Sequence, residues 1–169
     1  MKNNARWAFL SLLYVGNIKK APGTFGTLAS LPFALPILFF SQESLFLCAL
    51  LVGVIATKQI DIFEQNGGAH DDKSIVIDEL VGMWIALSFL NPHELLDKSL
   101  FWLCGGIFTS FLLFRIFDIF KPSFIGKIDR EVKGGFGVVG DDALAGLVAG
   151  ICAKLFIFGA LLLESHFAS

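Results

Sequence analysis

Charge is what this sequence has least of: only 17% of its 169 residues are Asp, Glu, Lys or Arg, against about a quarter in an ordinary soluble domain. The net charge of −2 is too small to argue for a nucleic-acid partner, and no basic run interleaved with aromatics suggests one, so none is expected. The three cysteines, Cys48, Cys104 and Cys152, lie inside apolar runs without CxxC spacing, which excludes a zinc site or a disulfide framework. No Cys is followed five residues later by Arg, so a phosphocysteine phosphatase is unsupported. There is no G-x-x-x-x-G-K-[ST] loop, no G-x-S-x-G elbow, no H-E-x-x-H helix and no D-x-D pair at strand spacing. Repeats and low-complexity linkers are absent too, so residues 1–169 read as one domain.

What is present is apolar. Hydrophobic residues make up 55%, Phe alone numbers 19, and the mean hydropathy is +0.73, which favours a membrane-embedded chain. Lys2 and Arg6 precede a short apolar stretch, Trp7 to Val15, with no small-residue cleavage site after it. It reads as an interfacial helix rather than a removable signal. Thr24 to Phe40, with Pro32 and Pro36 inside it, and Ser44 to Ile60 form a hairpin of two segments. Ile75 to Leu90, Leu100 to Phe117 and Ala143 to Leu163 complete five. The expected fold is therefore all-α: a single helical domain with about five membrane-embedded or membrane-associated helices plus the N-terminal interfacial one.

Counting crossings puts residues 1–27, 58–78 and 115–142 on one side of the bilayer. Eleven of the thirteen Lys and Arg fall there, and only Lys98 falls on the other, so this side is expected to be cytoplasmic. Lys154, inside a span, reads as paired or snorkelling, and Arg115 as a snorkelling residue at a span end. Gly146 and Gly150 form a small-xxx-small pair suited to close helix packing.

The same side carries the acids Asp71, Asp72, Asp78, Glu79, Asp118, Asp129, Asp141 and Asp142. Hard oxygen donors without a His/Cys cluster suit Mg²⁺ or Mn²⁺ better than zinc. Like charges brought together also need a metal or a proton between them. The plain alternative is charge at helix starts, since Asp78-Glu79 and Asp141-Asp142 would each sit where the helix dipole tolerates anions. Lys121, three residues beyond Asp118, is a phosphate ligand or an ordinary ion-pair partner, and Pro122 ends that helix. Pro22-Gly23-Thr24 lies in a Gly-rich loop that can offer backbone N–H groups to phosphate, or be only a turn. Gly134-Gly135-Phe136-Gly137 is a mobile or closely approached loop, and His70 could assist proton transfer. Together these point to Mg²⁺-assisted phosphoryl chemistry on a membrane substrate. Two rivals stay open: a small ion or solute transporter, which predicts acids at mid-span, and a non-catalytic scaffold, which needs no matched acids and cations.

Four blocks, APGTFGTLAS (21–30), HDDKSIVIDELVGMW (70–84), FRIFDIFKP (114–122) and IDREVKGGFGVVGDDALAG (128–146), resemble the phosphatidylglycerophosphatase A family in content and order. The resemblance implies an all-helical enzyme of the bacterial inner membrane. It implies Mg²⁺-dependent hydrolysis of phosphatidylglycerophosphate to phosphatidylglycerol and phosphate, in phospholipid biosynthesis. By position the family's motifs fall on Pro22, Gly23 and Thr24; on Asp78 and Glu79; on Asp118, Lys121 and Pro122; on Asp129; and on Asp141 and Asp142. The expected roles follow. Glu79, Asp118, Asp141 and Asp142 hold one or two Mg²⁺ ions. Lys121, with Arg130 or Lys133, clamps phosphate, beside Gly23 and Thr24. Asp78, Asp71 or His70 is the general base, unless Asp129 or Asp78 attacks directly as nucleophile. The acyl chains stay among the apolar segments.

Overall fold

The computed structural model describes residues 4–69, 72–122 and 132–167. Among these, seven α-helices and one short 3₁₀ turn (Val15–Asn17) make up the regular structure. They are α1 (Asn4–Leu10), α2 (Pro22–Phe40), α3 (Gln42–Gln65), α4 (Ile77–Leu87), α5 (Pro92–Lys98), α6 (Leu100–Phe120) and α7 (Gly135–Phe167).

Four of them, α2, α3, α6 and α7, are long and apolar enough to cross a membrane. Large apolar side chains such as Phe33, Leu51, Phe108 and Phe156 point outward from all four. Outward-facing phenylalanine and leucine along whole helices is what lipid requires and water penalises. The protein is a membrane protein.

The fifth expected segment takes a different form. Helix α4 has only 11 residues, roughly 16 Å at 1.5 Å per residue, and every one of them is buried. It is the axis on which α2, α3, α6 and α7 pack. Glycine sets the closeness of that packing. A Cβ at Gly82 would press on Phe114 and on the Asp142 carbonyl at 2.6 Å, and one at Gly146 would meet the Gly82 carbonyl. Gly150 likewise faces the Ala86 carbonyl, 3.0 Å from where a Cβ would stand, so the Gly146–Gly150 pair does bring two helices together. On the other flank, Trp84 Nε1 donates to the Ser30 carbonyl at 3.1 Å.

The helix ends at one pole are capped conventionally. Ser41 accepts from the Ser44 N–H, Asn91 from Glu94 and Ser99 from Trp102. At the other pole α1 is tied to the bundle rather than lying loose. Trp7 stacks on Phe63 at 5.5 Å, Arg6 Nε donates to Gln59 Oε1 at 2.9 Å, and the Val76 N–H donates to the Leu10 carbonyl.

Helix α7 begins eight residues before the apolar run that marks it in the sequence. Gly134 (φ +77°) makes the turn, and the following glycines are helical, not a loop. Gly135 is needed because this end of α7 lies directly on α3, where a Cβ would overlap the Thr57 carbonyl, and a Cβ at Gly137 would overlap the Val132 carbonyl. Asp61 of α3 accepts the Gly135 N–H at 2.7 Å and so caps the helix from across the bundle.

Candidate active site

That early start matters for the acids. Asp141 and Asp142 sit almost two turns inside α7 and are buried. They are past the exposed N–H groups of the helix end, so capping does not account for them. Asp118 stands in the last turn of α6, where the dipole disfavours an anion. Only Asp78 and Glu79 occupy a first turn, and both are buried as well.

All five carboxylates line one cavity of about 550 Å³ at the pole opposite the capped turns. Pro22, Gly23 and Thr24 line it from α2, Arg115 and Ile119 from α6, and Val138 from α7. Among the described residues, Lys73, Arg115 and Lys121 are the cations of its wall, so five acids face three bases there.

Arg115, expected to snorkel at the span end, instead turns inward. Its Nη1 binds the Glu79 carboxylate and sits 2.8 Å from Asp118 Oδ2, one turn along α6. Thr27 supports the pair: its hydroxyl lies 3.0 Å from Glu79 Oε2 and 2.9 Å from the Gly23 carbonyl, and its single proton serves one of them at a time. Gly23 is required by the same pair, since a Cβ there would overlap the Glu79 carboxylate and come within 3.3 Å of Arg115 Nη2.

Lys121 ends α6 in a left-handed turn (φ 41°), which takes it off the helix face it was expected to share with Asp118. Its Nζ meets Asp141 Oδ2 at 2.6 Å. The two acid pairs share a device: Asp78 Oδ1 accepts the Glu79 N–H and Asp141 Oδ1 accepts the Asp142 N–H, each at 3.0 Å. One oxygen of each leading Asp is thereby fixed, and the second oxygen of Asp141 is the one that meets Lys121.

Of the other sequence candidates, Thr24 and Gly23 line the cavity, whereas Lys133 is exposed and does not. Asp72 is turned to its own loop, accepting the Ser74 N–H at 2.9 Å. His70, Asp71, Asp129 and Arg130 lie outside the described residues. Lys154 belongs to a second, more apolar cavity of about 570 Å³, with Phe89, Leu95 and Phe158, remote from the acids. Arg115 and Lys73 are the charged residues of the described cavity lining to which the sequence assigns no site role. The signal for Arg115 was its i,i+3 spacing to Asp118, the usual reach of an ion pair on a helix.

Five carboxylates are a hard-oxygen donor set with surplus negative charge, which is the chemistry Mg²⁺ takes. Among the described residues, however, no three acidic, His or Cys side chains converge closely enough to share one ion. Arg115 stands between Glu79 and Asp118, and Lys121 stands on Asp141. The donor chemistry fits the ion, and each cation sits on one oxygen of its partners: Glu79 Oε2, Asp118 Oδ2 and Asp141 Oδ2.

An apolar helical bundle with acids and cations gathered in one polar cavity at its end defines a membrane-embedded enzyme for phosphorylated substrates. The chain belongs to the phosphatidylglycerophosphatase A family, whose model matches residues 8–157, and it is a phosphoric monoester hydrolase. Phosphatidylglycerophosphatase A of Escherichia coli (strain K12) is 35% identical to it, over 88% of this chain and 82% of its own. The Haemophilus influenzae protein of that name is 37% identical, over 79% and 77%. A Bacteroides thetaiotaomicron relative provisionally named a phosphatidylinositol-3-phosphatase is 33% identical, over 75% and 77%. No solved structure matches the chain.

Proposed function

We propose that this chain hydrolyses phosphatidylglycerophosphate to phosphatidylglycerol and inorganic phosphate. The reaction depends on Mg²⁺ and takes place at the cytoplasmic face of a bacterial inner membrane. The observation that carries this reading is the gathering of Asp78, Glu79, Asp118, Asp141 and Asp142 in one cavity with Lys121 and Arg115, at the end of a lipid-facing bundle. The names of the two phosphatidylglycerophosphatase relatives support the substrate, and the excess of Lys and Arg on this side of the membrane supports the cytoplasmic face.

The acyl chains remain beside the apolar helices while the phosphoglycerol headgroup reaches into the cavity. Lys121 turns an ammonium toward the terminal phosphate, and the Gly23–Thr24 turn approaches it with small groups. Water attacks phosphorus as the bond to the glycerol oxygen breaks, and that oxygen takes a proton from solvent as it leaves. Asp78, buried and facing the cavity, takes the proton of the attacking water. In the covalent route it attacks phosphorus itself, and water then hydrolyses the aspartyl phosphate to phosphate and the free carboxylate. Asp129, Asp71 and His70 are the alternatives from the sequence. Glu79, Asp118, Asp141 and Asp142 would hold magnesium, which offsets the charge of the phosphate and makes water more acidic.

Purified protein in mixed micelles should release phosphate from phosphatidylglycerophosphate with Mg²⁺, much more slowly from phosphatidic acid, and not at all with EDTA. Preference for phosphatidic acid would replace the substrate, and activity undiminished by EDTA would remove the metal. A protein that releases phosphate from neither lipid would remove the reading altogether.

A further inference from the structure

Arg115 has no task in the reaction as proposed, yet it is the best-placed cation of the cavity. Its guanidinium is anchored through one nitrogen, Nη1, to the carboxylates of Glu79 and Asp118, with Thr27 Oγ1 3.5 Å away. Nε, by contrast, is buried and has no hydrogen-bond partner among the described residues. A guanidinium stays charged at any accessible pH, so this N–H cannot be silenced by losing its proton. Buried N–H groups of folded proteins almost always have an acceptor. The side chain lines the cavity beside Gly23.

We infer that Arg115 is a phosphate-binding residue. A terminal phosphate of the substrate accepts from its Nε–H and one further guanidinium N–H as a fork, while Nη1 stays on Glu79 and Asp118. The anchoring carboxylates fix the plane of the guanidinium before the ligand arrives, so little side-chain freedom is lost on binding. The same anchor ties the phosphate to α4 and α6 together, the two helices that carry Asp78, Glu79 and Asp118. The ligand class is a phosphomonoester dianion or free inorganic phosphate. This inference rests on the phosphatase reading for its substrate, but not for the binding of phosphate itself.

The alternative is that Arg115 only neutralises two carboxylates. Lysine separates the two, because it keeps the charge and cannot form the fork. With magnesium present throughout, Arg115→Lys should fold and insert, while inorganic phosphate inhibits it at least about tenfold more weakly and KM rises by a similar factor. An inhibition constant within about twofold of wild type would overturn the inference. A second measurement needs no change at Arg115. The chain has three arginines, Arg6, Arg115 and Arg130, so ¹⁵N-arginine labelling gives three Nε–H signals, assignable with Arg6→Lys and Arg130→Lys. In wild-type protein the Arg115 signal should shift on saturation with inorganic phosphate. An unmoved signal would overturn the inference, whatever becomes of Arg115→Lys. Wild-type protein that shows the shift but hydrolyses no phosphatidylglycerophosphate would instead count against the proposed substrate.

Discussion

Gly23 shows how much of this site is decided by single atoms. The hydrogen it carries in place of a side chain is what lets Glu79 and Arg115 pair beneath the start of α2. Gly23→Ala should therefore displace the Glu79 carboxylate and lower kcat/KM by about a hundredfold, with the thermal midpoint in detergent little changed. Activity close to wild type would show that the Glu79 position is not critical. Asp118→Asn removes an anion that the α6 terminus disfavours, so it should leave folding and membrane insertion intact while abolishing phosphate release. A variant with full activity would take Asp118 out of the site. At this scale the sequence disclosed the acids but not their partners. Glu79 meets Arg115 36 positions away and Asp141 meets Lys121 20 positions away, through helix packing and a left-handed turn at Lys121 that no spacing rule anticipates.

Among the elements, α7 carries the strongest expectation. Its first turn is fixed by Asp61 on α3 and by Gly135, whose missing Cβ allows the two helices to touch. Asp61→Ala should cost about 1 kcal/mol of stability, as loss of a helix cap generally does. Gly135→Ala should cost more, because its Cβ has backbone and no flexible side chain in front of it. Both are measured by thermal unfolding in detergent; a Gly135→Ala protein as stable as wild type would contradict the contact. The long spans were legible from apolar runs alone. The start of α7 was not, because glycine-rich sequence reads as loop until the neighbouring helix is known. Helix α4 was legible as helix but not as the enclosed axis, since uniform apolarity marks burial in protein and in lipid alike.

For the whole molecule, the bundle has a charged pole with the cavity and a capped pole with the short polar turns. Single cysteines in a background lacking Cys48, Cys104 and Cys152 test how it sits. Lys19→Cys and Lys133→Cys should be protected from a membrane-impermeant maleimide in intact cells, and Ser44→Cys and Asp97→Cys labelled. The reverse pattern would place the cavity on the outer face. The four sequence blocks announced the family, and the described parts of those blocks do meet in space. The most direct test of that convergence is a double-mutant cycle on phosphate release from phosphatidylglycerophosphate with Glu79→Gln, Asp142→Asn and the pair. If both acids serve one reaction centre, each single variant loses nearly all activity and the double is no worse than either. Singles that keep most of their activity, or losses that simply multiply, would contradict it.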